Sequence, residues 1–381
     1  MIGRKGVALL LALAAGLSFS VVATATATAA GSPAPLLIAV EGPQSGTQAS
    51  NGLDQLRGVQ LAVRQLNAYG GLWDGRKVVV FAGDDKASSA DAKAVALRVV
   101  ANGIHFVIGP YNSSVGVVNL PVYRGKHVLP LWMTSLDATA GFGATVQPMN
   151  TQISPVEARY VEGLGAKHVA MLVDDTANGA FTKGMAERLR ATLRRQGDSV
   201  TWTSVKEGRT RSYYAKQVAK ALSTKPDFVY VSTYYPEGAK IAKALTAQSS
   251  TPRCLMGLAN VDNGFLAQTT LAQAQRCVFS GVPAAPEMPS AATYVRQYRS
   301  VFHKNPGVWG SFTYDSARLL FRAINGAESY DLRVVERQLR RTKGFLGATG
   351  PITINPKTGY RTNAPVSILH VNDSRRFVIA R

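Results

Sequence analysis

The feature that most restricts how this chain can fold is a regular alternation between short strand-like runs and helical stretches. Apolar runs rich in β-branched residues recur roughly every thirty residues, which is the spacing of parallel strands joined by crossover helices. The first series of such runs covers residues 36–40, 78–81, 105–108 and 128–133. We therefore predict an α/β fold.

A second series begins near residue 168 and repeats the same rhythm. Its strand-like runs cover residues 168–173, 200–205, 228–231, 254–256 and 277–282. In both series, helical patterns with apolar residues three or four positions apart lie between the strand-like runs. They cover residues 53–66, 90–101, 180–195 and 213–222, and one more begins at Pro236. Two such series imply two similar lobes.

The part of the chain after the second series departs from this rhythm. A proline-rich crossing at residues 283–289 is followed by helical patterns at 291–302 and 313–325, which we expect to return to the first lobe. Residues 351–356 and 366–379 then predict an antiparallel ribbon. Each lobe is therefore expected to be discontinuous in sequence.

The first thirty residues have the pattern of an export signal. Arg4 and Lys5 precede an apolar run at 7–23, and Ala27-Thr28-Ala29 fits a small-x-small cleavage site. A membrane anchor is the alternative, but small and polar residues interrupt the run and no basic cluster follows it. No cysteine lies near the cleavage region, so we expect a free periplasmic protein without a lipid anchor, with residues 1–30 as the signal peptide.

The charge of the chain is strongly positive, with a formal net charge of +20 and a pI of about 10.1. An anionic partner such as nucleic acid is one explanation of such a charge. The basic residues are dispersed, with only short runs such as Arg194-Arg195 and Arg340-Arg341. A solvated basic surface is therefore favoured, and we expect no nucleic-acid partner.

The two cysteines, Cys254 and Cys277, lie at the starts of two strand-like runs. An oxidising compartment would allow neighbouring strands to be joined by a disulfide, and two buried free thiols are the alternative. The spacing does not match a redox or zinc motif, so neither is expected to be catalytic.

Signatures of enzymes and cofactors fail on spacing. The glycine pairs at 141–143 and 163–165 lack the third glycine of a dinucleotide-binding loop, and no nucleophile elbow or zinc-protease helix is present in the sequence. The acid pairs 84–85 and 174–175 follow strands, where they would hold a metal or cap helices and bond loop amides. We favour the capping role and predict no catalytic residue, metal or cofactor.

Three passages resemble one family. Residues 38–46 (Ile-Ala-Val-Glu-Gly-Pro-Gln-Ser-Gly) are similar to its first strand and following loop, residues 106–114 to a later strand and serine turn, and residues 227–238 to a second-lobe strand and its tyrosine. That family is the type I periplasmic binding proteins, specifically the branched-chain amino acid and amide binding group of ABC importers. The resemblance covers the chain from about residue 36 onward.

The resemblance implies two Rossmann-like lobes joined by a three-segment hinge. The first lobe is expected to comprise residues 36–154 plus 283–363, and the second residues 155–282 plus 364–381. A ligand would be held between the lobes and would close them.

It also implies ligand contacts from the first lobe. Ser113 matches a serine that holds the ligand carboxylate, and Ser113 and Ser114 begin a helical stretch whose free N–H groups attract anions. A simple helix N-cap is the alternative reading of the serine. After the fourth strand, Thr134 and Ser135 supply hydroxyls, while Leu136 replaces a threonine of the leucine binders.

The second-lobe site departs from the family pattern. Tyr234 matches a tyrosine that closes over the ligand, and Trp309 falls near an aromatic that lines the pocket. Amino-acid binders place a glutamate where residues 258–260 read Leu-Ala-Asn. Either Asp262 pairs with a ligand ammonium instead, or the ligand is not an α-amino acid.

The function implied is the extracytoplasmic solute-binding component of an ABC importer. It would bind a small polar ligand, which is an amino acid, an amide or a small carboxylate, and deliver it as a monomer to a membrane permease. The alternative is a periplasmic sensor whose lobes signal to a partner protein.

Overall fold

The structure is a computed structural model that describes residues 33–248 and 252–380. The predicted signal peptide, residues 1–30, lies outside the described residues. Within the described ranges, no helix has both the length and the apolar character needed to cross a membrane.

Strands of the described chain form two sheets and one hairpin. The strands are β1 (Leu36–Gly42), β2 (Val78–Asp84), β3 (Phe106–Ile108), β4 (Leu129–Leu131), β5 (His168–Asp174), β6 (Ser199–Val205), β7 (Phe228–Ser232), β8 (Arg253–Met256), β9 (Val278–Gly281), β10 (Phe345–Gly347), β11 (Gly350–Ile352), β12 (Ser367–Val371) and β13 (Phe377–Ile379). Every strand-like run of the two predicted series overlaps one of these strands.

The first sheet is parallel and has the order β2-β1-β3-β4. Its central strand β1 buries Ile38, Ala39 and Val40 almost completely. Strands covered on both faces are expected to be continuously apolar rather than alternating, and this one is.

The second sheet has the order β13-β12-β9-β8-β7-β5-β6. Strands β5 to β9 are parallel to one another, whereas β12 runs antiparallel to both of its neighbours, β9 and β13. Two parallel-dominated sheets with crossover helices confirm the predicted α/β fold with two Rossmann-like lobes.

The predicted ribbon near the C-terminus is partly wrong. Strand β11 pairs with β10 in a tight hairpin, not with β12. The reason is Asp315, whose carboxylate accepts hydrogen bonds from the amides of Ala348 and Thr349 at 2.8 Å each and so holds the hairpin turn. Nothing in the local sequence of residues 345–352 indicates that distant carboxylate.

The helices are α1 (Ala49–Ala68), α2 (Ser89–Ala101), α3 (Ser113–Gly125), α4 (Asn150–Gly163), α5 (Ala180–Arg195), α6 (Arg211–Leu222), α7 (Tyr235–Thr246), α8 (Asn263–Gln268), α9 (Leu271–Ala274), α10 (Ala292–Phe302), α11 (Gly310–Ala327) and α12 (Leu332–Arg340). The sequence pattern does not predict α4, α8, α9 or α12. Helix α4 contains Pro155, which usually indicates a break, and α12 has only nine residues.

Helix α11 returns to the first lobe, as expected, and packs along α1. The two helices meet where Gly58 faces Gly310, and a Cβ on Gly58 would lie 2.0 Å from the Gly310 carbonyl oxygen. Asp54 strengthens the contact by accepting hydrogen bonds from the Gly307 and Gly310 amides at 2.9 and 2.6 Å. The first lobe is therefore built from two separate parts of the chain.

The chain passes between the two lobes three times: after β4, after β9 and before β12. Three connections match the predicted three-segment hinge. The first predicted boundary, between residues 154 and 155, falls inside α4. The residue limits of the lobes stay a prediction.

A disulfide joins Cys254 of β8 to Cys277, the residue before β9, with an S–S distance of 2.02 Å. Strands β8 and β9 are neighbours, so the cross-link lies within the second sheet. The alternative of two free thiols is not what the structure shows.

Replacing both cysteines with alanine is expected to lower the free energy of unfolding by about 3 kcal/mol. The physical reason is that the cross-link, which spans 23 residues, restricts the unfolded chain. Urea unfolding of the oxidised protein and the double variant measures the loss, and the reduced wild-type protein is the control. Equal midpoints for the oxidised and double-variant proteins would contradict the expectation.

Candidate functional site

A narrow cavity lies between the two lobes, with a free volume of about 10 Å³, which is the room for roughly one water molecule. Its lining residues are Tyr111, Ser113, Ser135, Gln147, Phe181, Tyr234, Leu258 and Ala259. Most of them follow the carboxyl ends of β3, β4, β7 and β8, where open parallel sheets place their ligand crevices. The fold thus brings Ser113, Ser135 and Tyr234 together, and their role as ligand contacts stays a prediction.

Ser113 is the first residue of α3, and Asn112 takes the N-cap position. The Ser113 Oγ accepts hydrogen bonds from the amides of Ser135 and Leu136, both at 3.3 Å. In the described residues, the amides of Ser113 and Ser114 donate no hydrogen bond. The positive end of α3 therefore faces the cavity with free donors, which suits an anion.

Ser135 and Gln147 form a second polar group in the cavity wall. The Gln147 Nε2 donates to Ser135 Oγ at 2.9 Å, while Gln147 Oε1 is buried and accepts no hydrogen bond from any described residue. The sequence gives no signal for Gln147, because it lies in an irregular segment between β4 and α4 and belongs to no recognisable motif.

Aromatic rings form much of the remaining wall. The rings of Phe181 and Tyr234 lie 6.4 Å apart in the second lobe, and Tyr111 lies 5.9 Å from Trp309 in the first. Burial raises the pKa of both Tyr111 and Tyr234 well above the usual range, so both hydroxyls are neutral at ordinary pH.

Four predicted ligand residues do not line this cavity. Trp309 packs behind Tyr111, and Thr134 is turned away from the cavity, with its Oγ1 2.6 Å from Thr139 Oγ1. Ser114 is buried in the second position of α3. The fourth is Asp262.

Asp262 instead bridges the lobes beside the cavity. It caps α8 by accepting the Gly264 amide at 2.5 Å, and it accepts the Ser50 hydroxyl of α1 at 3.1 Å. The Tyr235 hydroxyl lies 3.2 Å from Ser50 Oγ and donates to the Thr47 carbonyl. We call Thr47, Ser50, Tyr235 and Asp262 the latch. Burial raises the pKa of Asp262 to about 6.

The acid pairs after the strands bond loop amides and hydroxyls. Asp84 accepts the amides of Gln44, Ser45 and Lys86, and Asp85 accepts the amide of Ala87. Asp174 bonds its own loop, whereas Asp175 bonds side chains of strand β6. Asp174 accepts from Thr176, and Asp175 accepts from Trp202 and Ser204. Within the described ranges, no three His, Cys, Asp or Glu residues converge as metal ligands would.

A buried glutamic acid side chain, Glu41, fixes the orientation of α3. It lies near the end of β1 and accepts hydrogen bonds from Asn119 and Tyr123 of α3. Burial, with Asp85 nearby, raises the pKa of Glu41 to about 8. Its contacts hold the helix whose first residue is Ser113. The only sequence signal for it is an acid directly after a buried strand run.

Comparison with known proteins places this architecture in a family. A model of the family described as "Periplasmic binding protein" matches residues 35–376, which is nearly the whole chain. The chain belongs to the periplasmic binding protein family. It is a solute-binding protein and not an enzyme, as the sequence analysis predicts.

One sequence relative of this solute-binding protein is the Leu/Ile/Val-binding protein homolog 2 of Brucella abortus (strain 2308). The two are 25% identical over 335 residues, which cover 85% of this chain and 87% of the relative.

Two solved structures are similar in fold. A leucine-binding protein of Thermotoga maritima has a TM-score of 0.80 and 22% identity, and covers 90% of this chain and 97% of its own. A solute-binding protein of Rhodopseudomonas palustris BisB5, in complex with 3,4-dihydroxybenzoic acid, has a TM-score of 0.77 and 19% identity. The match covers 91% of this chain and 96% of the Rhodopseudomonas chain.

The raised pKa of Glu41 predicts how the stability of this solute-binding protein varies with pH. The folded protein holds the Glu41 proton more tightly than the unfolded chain does. The contribution of this bound proton to the free energy of unfolding is therefore fully present below about pH 4.5 and is lost as the pH rises through about 8. We expect the free energy of unfolding of the Glu41→Gln variant, measured with urea, to decline less between pH 5 and 8 than that of the wild-type protein.

Asp85 has a pKa raised to about 7, so some decline remains in the Glu41→Gln variant. Asp74→Asn is the matched control, because the pKa of Asp74 is lowered and its titration falls below this window. A decline of equal size in the wild-type and Glu41→Gln proteins would contradict the prediction.

Proposed function

We propose that this protein captures a small organic carboxylate outside the cytoplasmic membrane and delivers it to the permease of an ABC importer. The observation that carries the proposal is the cavity between the lobes, which receives the open N-terminal end of α3 on one side. An anion at that end gains from unpaired amide donors and from the helix dipole.

Both lobes contribute to the cavity, so a bound ligand favours their closed arrangement. Ser113 and Ser135 come from the first lobe, and Tyr234 and Leu258 come from the second. A ligand that contacts both walls binds the closed form more tightly than the open form. Hinge closure of this kind is known for periplasmic binding proteins, and the closed form is the one a permease would recognise.

Several further points belong to the same proposal. Residues 1–30 direct export to the periplasm, and the lobes comprise residues 36–154 with 283–363 and residues 155–282 with 364–381. The protein acts as a monomer. The names of the sequence relatives, which are Leu/Ile/Val-binding proteins, support a role in uptake of a small aliphatic or related solute.

Ser113→Ala is expected to weaken carboxylate binding about 10- to 100-fold. It removes a hydroxyl that can donate to the ligand, and hydrogen bonds to charged groups contribute about 1.5–3 kcal/mol. Isothermal titration with L-leucine, 4-methylpentanoate and benzoate measures the change. Ser114→Ala, one residue along the same helix, is the control and should leave the affinities unchanged.

Two results would contradict the proposal. One is that no compound in the panel binds the wild-type protein. The other is that Ser113→Ala binds the panel as tightly as the wild-type protein does, while its unfolding midpoint shows that it is folded.

The latch generates a separate prediction. Ser50→Ala removes hydrogen bonds that join the lobes in the closed form, so it should lower the closed population and weaken every ligand by the same factor, about 2- to 10-fold. Small-angle scattering of the ligand-free protein should show a larger radius of gyration for the variant.

Ser45→Ala is the control for Ser50→Ala. The Ser45 hydroxyl bonds Asp84 within the first lobe, so its loss does not cross between lobes. An unchanged radius of gyration, or weakening of one ligand but not another, would show that the latch does not stabilise closure.

A further inference from the structure

We infer that the end of the first lobe opposite the ligand cavity is a surface that rests on a lipid bilayer. We call this surface the distal pole; it comprises the loop 69–77, the first residues of β2, and Tyr330. Three observations support the inference: exposed aromatic side chains, a fixed loop that presents them, and the place where the chain enters the fold. The inference does not depend on which solute the cavity binds.

Large apolar side chains of the distal pole are exposed. Tyr69 is 91% exposed, Trp73 47% and Val79 46%. A group of exposed apolar side chains marks an interaction site, because covering it removes apolar area from water. Tryptophan and tyrosine are enriched at membrane–water interfaces, since each joins an apolar ring to a polar N–H or O–H group. The composition of the pole therefore suits the headgroup layer of a bilayer.

Backbone hydrogen bonds fix the loop that presents these side chains. The Leu72 amide donates to the Arg76 carbonyl and the Gly75 amide donates to the Leu72 carbonyl, both at 2.8 Å. The Trp73 amide donates to Asn325 Oδ1 of α11 at 3.0 Å. Leu72 is buried, whereas its neighbour Trp73 is exposed. The exposure of Trp73 is therefore a property of an ordered turn.

Polar and charged groups adjoin the aromatic rings. The Tyr330 ring lies 6.4 Å from that of Trp73, and the Arg76 guanidinium stacks on Tyr330 at 4.7 Å from the ring centre. Asp74 pairs with Arg76 at 3.4 Å and accepts the Tyr330 hydroxyl at 2.9 Å. Rings next to long cationic side chains are the arrangement that an interfacial layer accommodates.

The charge of the distal pole is close to balanced. Lys77 is an exposed cation, and Glu328 and Asp331 on either side of Tyr330 are exposed acids. A polyanion such as nucleic acid needs a cluster of cations and is not favoured here. The net charge of +20 draws the whole protein toward an anionic bilayer, and the aromatic rings then select the end that touches it.

The chain enters the fold at the distal pole. The Leu36 amide at the start of β1 donates to the Lys77 carbonyl at 2.8 Å. In the sequence, residues 24–32 join this part of the fold to the apolar run at 7–23. During export through such a leader, the distal pole is the part of the folded lobe to which the leader is attached. The cavity lies at the opposite, carboxyl ends of the strands, so contact at the pole leaves it free.

Partitioning onto vesicles tests the inference. The protein is purified after export, without residues 1–30, so that the leader itself cannot insert; residues 33–381 form a compact unit of their own. Vesicles of phosphatidylcholine with about 30% phosphatidylglycerol are the probe, and co-sedimentation gives the partition coefficient. We expect the Tyr69→Ser/Trp73→Ser double variant to partition about 10-fold or more weakly than the wild-type protein, because two aromatic rings no longer leave water.

Leu346→Ser is the matched control. Leu346 is 75% exposed, but it lies on the β10–β11 hairpin outside the distal pole. Its loss removes a similar apolar side chain and should leave the partition coefficient unchanged. Urea unfolding midpoints establish that each variant is folded.

The fluorescence of Trp73 gives a second readout. Trp132 and Trp309 are buried and Trp202 is half-buried, so the difference between the wild-type and Trp73→Phe spectra reports Trp73. We expect vesicles to shift that difference spectrum to shorter wavelength, because the ring leaves water.

Three results would overturn the inference. One is that the wild-type protein does not bind the vesicles. Another is equal binding of the wild-type and double-variant proteins, which would show that net charge alone attracts the protein. The third is a wild-type dimer in sedimentation equilibrium that the double variant loses, which would make the pole an interface between copies. Each of these results leaves solute binding in the cavity, and so the proposed function, untouched.

Discussion

The constraint on which this structure depends is that parallel strands end at a common edge. Each sheet places the carboxyl ends of its parallel strands toward the other lobe, and the loops after β3, β4, β7 and β8 meet there. Residues far apart in sequence, such as Ser113 and Leu258, therefore line one cavity. The chain crosses between the lobes at three connections, so each sheet is complete within its own lobe.

The polar groups around the cavity are arranged so that charge is supplied by the backbone. Helix α3 presents unpaired amides, and Glu41 holds the helix in place through Asn119 and Tyr123. The acids near the cleft bond loop amides or other protein groups and leave the cavity wall uncharged. The basic surface of the protein, with its net charge of +20, thus contrasts with a neutral binding wall that has one positive end.

Much of the fold was predictable because its determinants are local. Strand runs and amphipathic helices show their period in the sequence, and residues 180–195 form the helix that the pattern predicts. The hairpin β10–β11 was not predictable from local sequence, because its turn is held by Asp315, which lies thirty-three residues before Ala348. Helix α4 was missed because Pro155 indicates a break that packing against α5 and the second sheet overrides.

The residues of the candidate site also divide into those that the sequence indicates and those that only the structure reveals. The sequence by itself determined the α/β architecture and, with the family resemblance, pointed to Ser113, Ser135 and Tyr234. Only the tertiary structure decided which neighbouring hydroxyl faces the cavity: Ser135 lines it, and Thr134 faces Thr139, because successive side chains of an extended segment point to opposite sides. It also decided that Asp262 joins the latch and that Gln147 enters the wall, since both depend on contacts between segments that no local pattern encodes.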